Sequence, residues 1–141
     1  MTFFKLDPEV AGGWGHNTEC VRTPGKPLVV KKLHYAFDGW LGDELLESSP
    51  CFIVTDRLAE AIRGHDVTGY ELRDVEVSTS EQFRELYPNR QLPRFKWLHI
   101  MGLVGVDDFG VACDGRLVVS DKALAVLRTQ QLRNCAIEPL T

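Results

Sequence analysis

Seven residues in two acidic stretches have the side-chain chemistry of a binding face. Residues 38–47 contain four carboxylates and no base, and residues 107–108 are two adjacent aspartates. A tryptophan stands inside the first stretch, and tryptophan is enriched where proteins bind one another. An acidic surface attracts a basic partner and speeds their encounter. The predicted partner-binding residues are Asp38, Trp40, Asp43, Glu44, Glu47, Asp107 and Asp108. The alternative is that these stretches are ordinary solvated loops.

Metal-binding patterns are incomplete in this sequence. Residues 107–110 contain the Asp-Phe-Gly of protein kinases, but the glycine-rich and His-Arg-Asp loops of that family are missing. The aspartates at 107, 108 and 114 lack the alternating spacing of a calcium loop. His16 and Cys20 resemble half of a zinc site, without the second pair that zinc needs. We therefore predict no metal and no cofactor, and we expect a turn at 107–115 in which aspartates bond backbone amides.

Catalytic motifs are missing from the sequence as well. There is no Gly-x-Ser-x-Gly motif and no phosphate-binding glycine loop. His34 and His99 lie in apolar, strand-like runs, which is typical of a hydrogen-bonded sheet or core histidine. We predict no catalytic residue. The alternative hypothesis is a small enzyme or small-ligand-binding protein with a cleft built from loops 11–20, 38–47 and 107–115. Its first candidate residues are His16, Asp38, Asp107 and Asp108.

Size, charge and cysteine spacing narrow the class of protein. The chain has 141 residues, a formal net charge of −4 and a pI near 5.5. We expect a single domain, 1–141, that does not bind nucleic acid. No apolar run approaches the 18 residues of a membrane span, and the start lacks a signal-peptide pattern. Four cysteines without a Cys-x-x-Cys pair favour reduced, mostly buried thiols in a cytoplasmic protein, and the alternative is two disulfides in a chain exported by another route.

One sequence pattern occurs twice, 65 positions apart. FIVTDRLAEAIR at residues 52–63 corresponds to LVVSDKALAVLR at residues 117–128. Each copy has an apolar strand, then Thr55 or Ser120 suited to cap a helix, then an acid in the first turn and an apolar helix face. A further strand follows each helix, and its apolar positions also correspond. The cap, the helix phase and the strand parity agree at one offset, which indicates a structural repeat.

The repeat predicts the fold class. A strand–helix–strand unit cannot cover its own apolar helix face, but two units on a shared sheet can bury both faces together. We predict an α+β fold with a mixed β-sheet, helices mainly on one side, and similar units at about 51–77 and 116–139. Elsewhere we expect a loop at 11–27, a helical turn within 42–47, a helix within 78–88 and a strand at 95–106. Edge-to-edge pairing of that last strand would produce a homo-oligomer.

The repeated pattern also resembles a known family. CFIVTDRLAEAI and DDFGVACDGRLVVSDKALAVL, within 50–77 and 106–139, are similar to a signature of immunity proteins of bacterial polymorphic toxin systems. They resemble in particular a group whose members carry paired Cys-x-x-Cys-Gly motifs, and a related group in predatory soil bacteria. This sequence has no Cys-x-x-Cys, so the resemblance implies no zinc-binding role here. It supplies no catalytic residues either, because none is established for such proteins. It implies a small cytoplasmic protein that binds and neutralises a toxin domain.

Overall fold

The computed structural model describes residues 2–140 and has an α+β fold, as predicted. Three short helices stand among thirteen strands within that range. The elements in chain order are β1 (Phe3–Asp7), β2 (Gly12–Trp14), β3 (Glu19–Val21), β4 (Val29–Lys32), β5 (His34–Phe37), β6 (Leu45–Ser48), β7 (Cys51–Thr55), α1 (Asp56–Arg63), β8 (Tyr70–Arg73), β9 (Glu76–Thr79), α2 (Glu81–Leu86), β10 (Phe95–Ile100), β11 (Phe109–Val111), β12 (Leu117–Ser120), α3 (Asp121–Leu127) and β13 (Ala136–Pro139). No helix within residues 2–140 is long and apolar enough to cross a membrane.

The first unit is the segment β7–α1–β8. Its strands belong to a four-stranded sheet with the order β6-β7-β10-β8. Strand β10 pairs antiparallel with both β7 and β8, so the two strands of the unit run parallel with a third strand between them. The hydroxyl of Thr55 accepts a hydrogen bond from the Leu58 N–H (3.1 Å) and caps α1, as the sequence predicts.

The second unit, β12–α3–β13, repeats this arrangement. Its sheet has the order β11-β12-β1-β13, and β1 pairs antiparallel with both strands of the unit. Ser120 caps α3 through a hydrogen bond from the Ala123 N–H (3.0 Å). The register repeats too: β10 places Phe95 opposite Thr55, and β1 places Phe3 opposite Ser120. The predicted pair of similar strand–helix–strand units is confirmed.

The units differ from the prediction in one respect, because each has its own sheet. A strand from elsewhere in the chain completes each sheet: β10 follows the first unit, whereas β1 comes from the other end of the chain. The inserted strand forms hydrogen bonds with the facing backbone N–H and C=O groups of both parallel strands. The strands of the two units therefore do not need to pair with each other. The units meet instead through their helices.

A single hydrophobic cluster joins the two units. Phe52 and Val54 point into it from β7, while Ile53 between them points to the opposite face of the sheet, as the two-residue strand period requires. The cluster also contains the apolar faces of α1 and α3, which pack together; its fully buried helix side chains include Leu58, Ile62, Ala123 and Leu127. Burial of each large aliphatic side chain stabilises the fold by about 1.5–3 kcal/mol.

A second cluster lies on the other face of the first unit's sheet. It joins that sheet to a three-stranded sheet, β2-β5-β9, and to α2. Tyr35, Phe37 and Phe83 are fully buried there. Because both faces of this sheet are covered, all five residues of β7 are buried. The β3–β4 hairpin forms a separate two-stranded sheet.

Several elements outside the units differ from the sequence predictions. The expected loop 11–27 contains β2 and β3, and the expected helical turn in 42–47 contributes instead to strand β6. Leu45 and Leu46 face opposite clusters, which a strand allows and a helical turn does not. The helix within 78–88 is present as α2, capped by Ser80.

The expected strand 95–106 ends at Ile100. The N–H groups of Met101 and Gly102 both donate to the Gly69 carbonyl (2.8 and 3.0 Å), which turns the chain out of the sheet. The Cα atom of Gly69 lies so close to Gly102 that a side chain at Gly102 would collide with it. Strand β10 lies between β7 and β8, so it has no free edge, and edge-to-edge pairing through this strand is excluded.

Candidate functional site

Trp40 marks a surface where aromatic, apolar and charged side chains meet. Its indole is half-buried, packs edge-on against Phe95 and donates from Nε1 to the Asp43 carbonyl (2.8 Å). The Arg90 guanidinium lies 4.6 Å from the centre of the Trp40 ring and 5.5 Å from that of Tyr87. Stacking of this kind is attractive because the ring face carries partial negative charge. These contacts fix the indole at the surface.

Two exposed aliphatic side chains extend this surface. Val10 is 65% exposed and Leu41 is 66% exposed. Together with Asp38, Trp40 and Tyr87 they line an open hollow of about 350 Å³. A second hollow of about 500 Å³ adjoins Trp40 and Leu41 and extends to Arg90. We use the term Trp40 surface for the set Val10, Asp38, Trp40, Leu41, Tyr87 and Arg90.

Glu9 holds the loop that carries Trp40. Its buried carboxylate accepts hydrogen bonds from the N–H groups of Leu41 (2.7 Å) and Asp43 (3.3 Å). Burial raises the pKa of Glu9 above its ordinary value, and the two N–H donors act in the opposite direction. Glu9 therefore holds the loop backbone from the protein interior, while the side chain of Leu41 is exposed to solvent.

Asp43 is completely buried and connects this loop to the segment after α3. Its carboxylate accepts from the N–H groups of Arg133 (2.9 Å) and Asn134 (2.7 Å) and from the side-chain amide of Asn134 (3.1 Å). A carboxylate in this position satisfies backbone donors that would otherwise lack partners. Asp43 therefore stabilises the fold and presents no charge to a partner.

Glu44 is a second predicted contact residue that the structure buries. It accepts from the Thr55 hydroxyl (2.7 Å), the Gln131 N–H (3.0 Å) and the guanidinium of Arg57 (2.5 and 3.0 Å). Burial alone would raise the pKa of Glu44, but the hydrogen bonds and charge of Arg57, with those of Thr55 and Gln131, lower it below the ordinary value. Its negative charge is neutralised within the chain.

Asp108 occupies the equivalent position in the second unit. It is buried and accepts from the Ser120 hydroxyl (2.6 Å) and the Thr68 N–H (2.9 Å). Burial acts to raise the pKa of Asp108, yet these two hydrogen bonds and the charge of Lys122 lower it overall. Glu44 and Asp108 thus each bind the helix cap of their own unit and a backbone N–H that follows the helix of the other unit.

The remaining predicted contact residues have different environments. Asp38 is exposed, and Trp40 is half-buried at the surface described above. Glu47 is half-buried at β6, where burial and the nearby Asp7 raise its pKa. Asp107 is half-buried and accepts from the Leu103 N–H (2.8 Å), which is the turn contact expected for this stretch. The acidic face is smaller than the sequence indicates, because the fold uses three of its carboxylates internally.

The histidines and cysteines do not gather at a reactive centre. His34 is buried; its Nδ1 accepts from the Asn17 N–H (3.2 Å), and its Nε2 lies 2.7 Å from the Ser78 hydroxyl. His16 is exposed, with its ring 5.5 Å from that of His34. Among residues 2–140, no group of three or more His, Cys, Asp or Glu side chains is placed to hold a metal ion.

The four cysteines are unpaired, but they are not mostly buried as expected. Cys51 is buried and Cys135 is half-buried, while Cys20 and Cys113 are exposed. Burial raises the pKa of both Cys51 and Cys135 to about 12. These two thiols stay protonated at neutral pH and are therefore poor nucleophiles.

The three loops of the alternative hypothesis do not form one cleft. Residues 11–12 and 38–41 line the hollow beside Trp40, since the N–H groups of Asp38 and Gly39 both donate to the Ala11 carbonyl. Residues 111–113 and Gly115 line a different cavity, and none of the four cavities described contains residues of all three loops. His16, Asp38, Asp107 and Asp108 are therefore not brought together.

Sequence reasoning missed most of the Trp40 surface. Tyr87 and Arg90 lie far from the acidic stretch in sequence, and only the fold brings them to Trp40. The same holds for Glu9, which binds the loop that carries Trp40. Val10 and Leu41 are apolar residues in loops, where exposure is decided by the surrounding backbone. The sequence indicated two members of this surface: Asp38, which belongs to the acidic stretch, and Trp40, a tryptophan near glycines and acids rather than within a regular apolar pattern.

No protein-family model matches this chain, and comparisons with curated proteins and with solved structures also found no match.

Proposed function

We propose that this chain is a non-catalytic protein-binding domain of the immunity type, which neutralises a bacterial toxin domain in the cytoplasm. The sequence resemblance in the two repeated units motivates the class of partner. The Trp40 surface motivates the binding mode. A small enzyme with a cleft from loops 11–20, 38–47 and 107–115 receives no support from the arrangement of those loops.

One observation carries the proposal: Trp40, Tyr87 and Arg90 stack together beside exposed aliphatic side chains. Tryptophan, tyrosine and arginine are the residue types that dominate binding free energy at protein interfaces. The indole is held in place by its hydrogen bond to Asp43 and by Glu9 beneath the loop, so little conformational entropy is lost when a partner binds. Val10 and Leu41 offer apolar area next to these anchors.

The partner's surface follows from this composition. Because Asp43, Glu44 and Asp108 are bonded internally, the interaction depends on apolar and aromatic contact more than on acidity. Asp38 and Arg90 at the edge set orientation, as charges around an interface do. We expect a toxin domain that presents an apolar protrusion or ridge to the hollow beside Trp40.

The test uses the toxin domain encoded next to this chain's gene. Bacteria that express the toxin domain are grown with the unmodified chain, with Leu41→Lys or with the control Val29→Lys, and affinity is measured by calorimetry. Leu41 and Val29 are both exposed aliphatic residues, but Val29 lies on the separate β3–β4 hairpin. We expect Leu41→Lys to weaken binding at least tenfold and to abolish protection, and Val29→Lys to change neither.

Two results would contradict the proposal. If the unmodified chain neither binds nor protects, the function is wrong. If it does both and Leu41→Lys behaves like the unmodified chain, the partner binds elsewhere and the Trp40 surface is not the interface. Amide spectra of each variant establish that it is folded.

A further inference from the structure

The largest of the four cavities described is separate from the Trp40 surface. It has a volume of about 630 Å³ and shares no lining residue with that surface. Its walls come from the β3–β4 hairpin, from β10 and from the segment that joins β11 to β12. These parts belong to three different sheets. A junction of separate elements is a common place for a ligand site in proteins.

The lining of this cleft is mainly apolar. Its apolar lining residues include Leu28, Val30, Trp97, Ile100 and Val111. Removal of apolar ligand surface from water is the main driving force for binding in such a space. A volume of about 630 Å³ falls within the range for small-molecule sites, which is roughly 300–1,000 Å³. The ligand class indicated is a small, largely apolar molecule.

His99 places a polar group in the lining of this cleft. Its imidazole lines the cleft and packs edge-on against Trp97, with ring centres 5.1 Å apart. Its Nδ1 lies 3.1 Å from a carboxylate oxygen of Glu71, which Arg73 also contacts. A proton on Nδ1, donated to Glu71, leaves Nε2 as a hydrogen-bond acceptor. No hydrogen bond from residues 2–140 engages Nε2.

Two thiols, those of Cys51 and Cys113, also line the cleft. Burial raises the pKa of Cys51 to about 12, so that thiol stays protonated at neutral pH. The interactions available to a ligand without a thiol-reactive group are apolar contact and one directed hydrogen bond.

We propose that this cleft binds a small apolar molecule that carries one hydrogen-bond donor, such as a phenol or an alcohol, with the donor directed at Nε2 of His99. This inference goes beyond protein binding at the Trp40 surface, and neither proposal depends on the other.

Two probes of nearly equal shape test the proposal by NMR. 4-Ethylphenol carries a donor, and 4-ethylanisole has a methyl ether in its place. We expect 4-ethylphenol to shift the indole N–H signal of Trp97 and the amide of Val111 in a saturable manner, with a Kd below about 1 mM. We expect 4-ethylanisole to bind at least threefold more weakly, because it leaves Nε2 without a partner.

Matched variants locate the binding site. Leu28→Trp fills the cleft and should abolish binding of both probes, while Val29→Trp, at the next residue and outside the lining, should leave it unchanged. His99→Phe should remove the difference between the two probes.

Three outcomes overturn the proposal. They are the lack of saturable shifts, equal binding of the two probes to the unmodified chain, and binding that survives Leu28→Trp. The comparison of two probes on the unmodified chain decides the matter even where a variant does not fold.

Discussion

At the scale of single residues, most of the acidic stretch belongs to the interior. Asp43, Glu44 and Asp108 are buried, and each carboxylate accepts at least two hydrogen bonds within the chain. The folded state lowers the pKa of Glu44 and Asp108, so their contribution to stability is present above the ordinary carboxyl pKa. That contribution is lost as the pH falls through the lowered values. Much of the acidic patch predicted from the sequence thus consists of buried carboxylates that stabilise the fold through hydrogen bonds.

Glu47 behaves in the opposite way and gives a prediction for the pH dependence of stability. Burial, together with the charge of Asp7, raises its pKa above 4.5 in the folded state. The folded chain then binds this proton more tightly than the unfolded chain, so ionisation of Glu47 reduces stability as the pH rises through that window. Glu47→Gln should therefore stabilise the fold at pH 7, by no more than about 1 kcal/mol because solvent screens a half-buried group.

The measurement is urea unfolding of the unmodified chain and of Glu47→Gln at pH 7 and at a pH below 4. The increase in the free energy of unfolding that Glu47→Gln gives at pH 7 should vanish at the lower pH, where Glu47 is protonated in both the folded and the unfolded chain. Asp38→Asn, at an exposed carboxylate, is the control and should show no such difference. A Glu47→Gln effect of equal size at both pH values would show that packing, not ionisation, is its cause.

At the scale of elements, the two units share one capping device. In each unit the cap hydroxyl accepts from a first-turn N–H and donates to a buried carboxylate, Thr55 to Glu44 and Ser120 to Asp108. Both carboxylates also bind the segment after the other unit's helix. The cap therefore stabilises its own helix and the contact between the units.

Removal of either cap hydroxyl should destabilise the protein to a similar extent. Thr55→Ala and Ser120→Ala each remove a helix cap, worth roughly 0.5–2 kcal/mol, and leave a buried carboxylate short of a donor. We expect a loss of about 2–3 kcal/mol in each, measured by urea unfolding. Thr23→Ala, in an exposed loop, should change stability by less than about 0.5 kcal/mol. If only one of the two cap variants were destabilised, the units would not be energetically equivalent.

At the scale of the whole molecule, the two ends of the described chain complete one unit. Strand β1 lies between β12 and β13, and the Leu140 N–H donates to the Phe3 carbonyl (2.9 Å). The middle strand of the first unit, β10, follows that unit in the sequence. The second unit receives β1 from the opposite end. If the two ends were joined, the middle strand would follow its unit in the sequence in both cases, as β10 follows β8 and as β1 would then follow β13.

This arrangement predicts that a circular permutant folds. A chain whose ends are joined by a short glycine-serine linker, and which begins at Lys26 and stops at Gly25, should retain the native amide spectrum with stability within about 2 kcal/mol of the original. The new ends lie in an exposed turn outside both units. A matched permutant opened between Arg133 and Asn134 should be far less stable, because both N–H groups bind Asp43. Failure of the first permutant, or equal stability of the two, would contradict this view of the fold.

Local chemistry allowed the repeat and its caps to be read from the sequence. A helix cap depends on a hydroxyl within three residues of the N–H groups it binds, and an apolar helix face depends on spacing of three and four residues. Thr55, Ser120 and the helices after them are therefore determined by neighbouring residues. The α+β class followed, because each unit needed another to cover its helix.

Long-range contacts decided the rest, and no local pattern contains them. The insertion of β1 and β10, the strand at 45–48 and the end of β10 at Ile100 depend on pairing with segments distant in sequence. The same holds for the candidate sites: Tyr87 and Arg90 reach Trp40, and His99 lines the cleft, only after the sheets have assembled. Burial of a carboxylate is equally a property of the assembled fold, because its donors come from residues up to 91 positions away.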